Sequence, residues 1–222
     1  MKIGFLILLS LAFVGCAPAS REPAAPSSQP ASADADSDAV SPEAVAASPR
    51  IEKPPTFQKG YKLTFRSRTS DYEMIYKGQQ DGMLVFHFDT REKLPFDRFY
   101  TPDLKLAGIT NAQDENHFDP PIGYVDFPLY VGKKWVVPYK FYNNSRRGMG
   151  EVKVEVTAFE AVTVPYGTVD AFRIRVRNHS RDMGRNNPHQ TYWYSPEIGY
   201  YVKLATSKPV YEDPFELIAV SK

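Results

Sequence analysis

Glu151-Val152-Lys153-Val154-Glu155-Val156-Thr157 and, beyond a turn at Pro165-Tyr166-Gly167-Thr168, Ala171-Phe172-Arg173-Ile174-Arg175-Val176-Arg177 set charged and apolar side chains in strict alternation. A period of two sends one set to each face of an extended chain, so each run reads as a strand with one face buried and the other in water. The turn between them makes the two strands antiparallel neighbours. Valine, isoleucine and phenylalanine at the apolar positions suit a pleated surface.

The pattern recurs outward in both directions. Tyr61-Lys62-Leu63-Thr64-Phe65-Arg66 and Tyr72-Glu73-Met74-Ile75-Tyr76-Lys77 alternate, Gly78 to Gly82 supplies a turn, and Met83 to Asp89 follows as a third strand. Thr191 to Tyr194, Tyr200 to Ala205 and Phe215 to Val220 complete the C-terminal half. Trp135 to Tyr142 is a further strand, and Pro138 within it predicts an edge or a bulge. From Thr90 to Val131 the pattern is less regular, with prolines at 95, 102, 120, 121 and 128 excluding a long central strand; Leu104 to Ile109 is a short candidate. No stretch beyond residue 56 has a helical period. The expectation is an all-β domain over 57–222, one antiparallel sheet curved into a sandwich, a half-barrel or a barrel. About 165 residues bury roughly 70% of their unfolded surface, enough for one domain without disulfides or metal.

Ahead of the domain the composition changes. Met1-Lys2 opens a short apolar run that ends at Phe13-Val14-Gly15-Cys16, the layout of a secretory signal over 1–15. The run is too short for a helix spanning the roughly 20-residue hydrocarbon core. Phe13-Val14-Gly15-Cys16 resembles the bacterial lipoprotein signal, although that family usually carries leucine where Phe13 stands. The resemblance implies lipid attachment to the Cys16 thiol, cleavage just before it, and a location in the cell envelope. Ala17 is not the aspartate that marks inner-membrane retention in enteric bacteria, so the analogy points to the outer membrane, facing the periplasm. Cys16 is the one cysteine, so no internal disulfide can form. The segment 16–56 is rich in Ala, Pro and Ser up to Pro49, with Asp34, Asp36, Asp38 and Glu43 adding charge. It has too little apolar surface to offset the entropy of ordering and reads as a disordered tether. Its reach runs from about 35 Å as a coil to about 100 Å when stretched.

Three stretches of the domain carry a second resemblance: Phe127-Pro128-Leu129-Tyr130-Val131-Gly132-Lys133-Lys134-Trp135, Val162-Thr163-Val164-Pro165-Tyr166-Gly167-Thr168 through Ile174, and Tyr192-Trp193-Tyr194-Ser195-Pro196-Glu197-Ile198-Gly199 through Lys203. Together they are similar to an uncharacterised family of exported bacterial β-domains. That implies a β-rich periplasmic domain and brings no catalytic residue with it. More distantly, such domains resemble the half-barrel lipid carriers LolA and LolB, at the level of fold alone.

Charge excludes one partner class. With 27 basic and 26 acidic residues there is no global field to attract nucleic acid. His87, His117, His179 and His189 have no spacing that converges three or four metal ligands, and no metal or other cofactor is expected. No Gly-x-Ser-x-Gly elbow and no glycine-rich phosphate loop occurs, although an envelope hydrolase built on scattered carboxylates has no signature to find.

Two candidate binding features remain. Arg173, Arg175 and Arg177 share one strand face and would grip phosphate or carboxylate groups of an envelope polyanion, or else pair with Glu151, Glu155 and Glu160 on the adjacent strand. Tyr192 and Tyr194 share a face opposite Trp193, where they would stack on a glycan if exposed or fill the core if buried. The sequence thus describes a membrane-tethered binding or structural module; a carrier of an apolar ligand, such as a lipid or lipoprotein acyl chain, is the alternative.

Overall fold

Alternating runs become antiparallel strands in the computed structural model, which describes residues 48–90, 94–180, 189–206 and 213–221. Cys16 lies outside the described residues. Within them the elements are β1 (Lys62–Ser67), β2 (Asp71–Gln80), β3 (Met83–Thr90), β4 (Phe96–Tyr100), β5 (Leu106–Asn111), β6 (Glu115–Ile122), β7 (Lys134–Tyr142), β8 (Arg147–Val164), β9 (Gly167–Ser180), β10 (His189–Ser195), β11 (Tyr200–Thr206) and β12 (Phe215–Ser221), with no helix among them. Each strand pairs with the next in sequence, and β12 pairs back onto β1, so the sheet closes into a barrel. Closure removes the free edges that an open sheet would present.

The quoted runs form the longest hairpin. β8 and β9 pair from Gly150↔Ser180 to Val164↔Gly167, with one irregularity between Val156 and Ala158. Val152, Val154, Val156, Phe172, Ile174 and Val176 point inward, none more than 3% exposed. The β2–β3 turn is Asp81-Gly82, both at positive φ (50° and 78°), the two-residue geometry that matches the twist of a hairpin.

The strands that the prolines concealed are β4 and β6. β6 contains Pro120 and Pro121, and the sheet accommodates them by interrupting its ladders: β5 pairs Leu106 with Ile122 and then Gly108 with His117, skipping the residues between. Pairing of β6 with β7 covers only His117 to Asp119 and stops at Lys140, so Pro138 has a strand neighbour on the β8 side alone. The edge expected at Pro138 is therefore a local gap in a closed wall.

Odd-numbered strands all finish at one end of the barrel, at Ser67, Thr90, Asn111, Tyr142, Ser180 and Thr206. This is the far end; the chain enters at the opposite, near end. There residues ahead of β1 pack against the wall. Ile51 and Leu129 exchange backbone hydrogen bonds of 2.9 and 2.8 Å, and the Phe57 ring sits 5.1 Å from that of Phe86, edge-on.

Inside, the wall is apolar and aromatic; outside, it carries cross-strand ion pairs, among them Lys62–Glu73 at 2.9 Å, Lys134–Glu155 at 2.8 Å and Lys203–Glu216 at 2.7 Å. A membrane-spanning barrel needs the reverse, an apolar outer band around a polar interior.

Candidate functional site

A barrel of this many strands is wider than its side chains fill. In the far half the interior leaves a cavity of about 320 Å³. One wall is aromatic, where Tyr72, Phe88, Phe96 and Phe215 face inward from β2, β3, β4 and the start of β12; Phe88 and Phe96 stack at 4.9 Å with their planes 4° apart. The lining continues with Leu106 and Ile109 from β5, next to β4, with Ile122 and Tyr124 from around the end of β6, and with Tyr192 from β10.

Polar groups interrupt this lining, with Ser67, Thr69, Ser70 and Thr90 on its far-end side. Arg98 projects from β4, its Cζ 4.7 Å from the Phe88 ring centre and 5.5 Å from that of Phe96. Tyr100 and Tyr200 bring their hydroxyls to 3.0 Å of each other deeper in the barrel. Burial, above all, holds the Tyr200 hydroxyl well above the ordinary phenol range, and the neighbouring Tyr100 adds to this while the Arg98 charge opposes it. Asn111 also lines the cavity, with its Oδ1 already accepting the backbone N–H groups of Gln113 and Asp114. Asp213 lines it just ahead of β12, at the far-end margin.

Arg98 and Tyr100 escaped the sequence reading because it treated residues 90–131 as irregular. The signal was present in Phe96-Asp97-Arg98-Phe99-Tyr100, where 96, 98 and 100 share a face. Asp97 turns outward, its Oδ1 2.7 Å from Nδ1 of His87 on β3.

The structure places the two sequence candidates on opposite faces of one wall. Arg173, Arg175 and Arg177 point outward. Arg173 Nε donates to Thr157 Oγ1 at 3.0 Å and lies 3.9 Å from Glu160; Arg175 stands directly across from Glu155 on β8 and Thr191 on β10. Tyr192 and Tyr194 point inward, 2% and 1% exposed. Tyr192 lines the cavity; Tyr194 packs beside Phe127 and Tyr201, and burial raises its hydroxyl pKa far above the usual value. Trp193 between them faces out, donating to Glu160 Oε1 at 2.8 Å. The arginine row and the tyrosine pair therefore do not form one site.

His117 Nε2 lies 3.0 Å from Glu115 Oε1, its ring stacked on Tyr142 at 4.9 Å. Among the described residues no group of three or more His, Cys, Asp or Glu converges as metal ligands would.

No family model matches the chain, and neither does any curated protein. Among solved structures it is similar to the hypothetical lipoprotein YmcC from Escherichia coli K12, at 9% identity and a TM-score of 0.48 over 76% of this chain and 90% of that one. It is also similar to a Bacteroides fragilis protein with a YmcC-like fold, at 14% identity and a TM-score of 0.49 over 78% of this chain and 100% of that one.

Proposed function

We propose that this chain is an envelope protein, anchored through a lipid on Cys16 at the periplasmic face of the outer membrane, whose barrel binds one small, largely apolar ligand. The observation that carries the binding role is the far-half cavity, of about 320 Å³, which combines an aromatic and aliphatic wall with polar side chains toward the far end. Ligand sites have this character and run from roughly 300 to 1,000 Å³. The cavity sits at the small end of that range, which suits one chain or one ring system and is too small for a two-chain phospholipid. The anchoring role is supported by the apolar run ending at Cys16 and by the polar segment after it. The surface-binding alternative has less support, since Arg175 faces the Glu155 carboxylate and Arg173 donates to the Thr157 hydroxyl, while Arg177 stands across from Lys153 and His189.

Mass spectrometry of organic extracts from the natively purified full chain tests the reading, alongside an Ile109→Trp variant. Ile109 pairs with Arg98 across β4–β5 on the inner wall, and an indole there projects into the cavity and obstructs it. The expected result is a small lipophilic species released from the wild type and missing from the folded variant. Extracts that are clean in both, with no small lipophile bound on adding back, would sink the proposal. Mass spectrometry of the mature N-terminus tests the anchor: an unmodified peptide starting beyond Cys16 removes it.

A further inference from the structure

Resting on the cavity reading above, we infer that the ligand is a single-chain amphiphile with an anionic head, a carboxylate or a phosphate monoester, and that Arg98 is the residue that holds the head. A guanidinium has two kinds of surface. Its faces stack on aromatic rings, and its edge carries N–H donors in a planar fork matched to the oxygens of a carboxylate or phosphate. Around Arg98 the Phe88 and Phe96 rings lie at 4.7 and 5.5 Å and orient the guanidinium against the stacked pair. A cation there supplies a head-group site beside the aromatic and aliphatic part of the lining.

Depth supports the same assignment. Arg98 is the middle residue of β4, between Phe96 toward the far end and Tyr100 toward the near end. Ile109 faces it across the β4–β5 pair, and Leu106, Ile122 and Tyr192 continue an apolar surface around the cavity for a tail. The other charged residue on the lining, Asp213, sits at the far-end margin and disfavours an anionic head lodged there, leaving Arg98 as the site for it. The volume admits about ten water-sized groups at roughly 30 Å³ each, the bulk of one medium-length alkyl chain.

Equilibrium dialysis of the full chain against dodecanoate, dodecyl phosphate, dodecanol and dodecyltrimethylammonium separates the possibilities. Expected is one anionic amphiphile per chain, bound at least tenfold more tightly than dodecanol, with the cationic amphiphile weaker still; the ratio of the two anions distinguishes a carboxylate from a phosphate ligand. Arg98→Met should lower anion binding to the level of dodecanol and leave dodecanol unchanged. Arg98→Lys keeps a charge without the fork, so it should retain part of the preference, and it serves if the methionine variant fails to fold. Equal binding of dodecanoate, dodecyl phosphate and dodecanol by the wild type overturns the Arg98 assignment while leaving the cavity reading intact. Failure of all four to bind overturns both.

Discussion

Tyr100 and Tyr200 meet hydroxyl to hydroxyl at 3.0 Å, although β4 and β11 are not neighbours in the sheet. The bond crosses the barrel interior, joining walls that the ladders connect only the long way round. Both rings are buried, at 6% and 4% exposure, so neither hydroxyl can turn to bulk water if its partner is lost. Tyr200→Phe should therefore cost about 1–3 kcal/mol, the penalty for a buried polar group left unsatisfied. The double variant Tyr100→Phe/Tyr200→Phe should cost less than the sum of the singles. Urea unfolding of the four proteins measures this, and simple additivity would mean the hydroxyls are not coupled.

Alkaline pH should loosen the near end. Burial, helped by the nearby Tyr166 hydroxyl, pushes the Tyr61 pKa from 10.0 up to about 12. The folded protein thus keeps a proton that the unfolded chain gives up near pH 10, so the stabilisation is fully present below pH 10 and is lost as pH rises toward 12. The Tyr194 and Tyr200 hydroxyls shift in the same direction, so they too release protons more readily once the barrel opens. Tyrosinate absorbance should rise together with the loss of β-sheet signal in this window, and Tyr61→Phe should make the alkaline loss of stability shallower. Free titration of all tyrosines near pH 10 in a still-folded barrel would contradict the burial assigned to these three.

How far the sequence reveals this molecule depends on which physical signal each part carries. The β8–β9 hairpin is legible because Val152 to Val156 and Phe172 to Val176 alternate against charge, and burial follows the alternation directly. Closure is not legible. It rests on β1 pairing β12, Lys62 against Ser221 through Ser67 against Phe215, and no local pattern encodes a contact between the two ends of a domain. β6 was hidden because Pro120 and Pro121 break the local rule, while the gap in pairing that admits them belongs to β5 and β7. Tyr192 could be placed on a strand face without revealing which side of the wall was hollow. A cavity is a property of wall curvature and of what the facing strands leave unfilled.

The outward arginines yield a test of surface pairing. Arg175 faces Glu155 across β8–β9, and Glu155 is also 2.8 Å from Lys134 Nζ on β7. Such exposed cross-strand charges contribute roughly 0.2–1 kcal/mol. A double-mutant cycle on Arg175→Ser and Glu155→Ser should give a coupling within that range, shrinking in high salt. Arg173→Ser removes the donor to Thr157 and should cost a similar amount. If replacing Arg173 and Arg175 abolished binding of a soluble polyanion such as heparin without touching stability, the row would be a recognition surface after all.

The near end depends on the segment that precedes the first strand. Gly199 stands in the β10–β11 turn at φ +76°, and a Cβ built on it would come within 3.0 Å of Pro55 Cβ. Beside it, the Tyr61 hydroxyl donates to the Ile198 carbonyl at 2.8 Å, and Phe57 packs on Tyr61, Tyr76 and Phe86. Gly199→Ala meets two penalties at once: about 1–2 kcal/mol for a left-handed backbone with a side chain, and displacement of Pro55. Phe57→Ala should cost about 2 kcal/mol, below the roughly 3–5 kcal/mol of a fully buried ring, because Phe57 is only partly covered. Both changes lift the same segment, so their combination should cost less than the sum. Neither residue lines the far-half cavity. Urea unfolding should therefore register both substitutions while dodecanoate affinity stays within twofold of wild type. A parallel loss of affinity would show that the two ends of the barrel are mechanically linked.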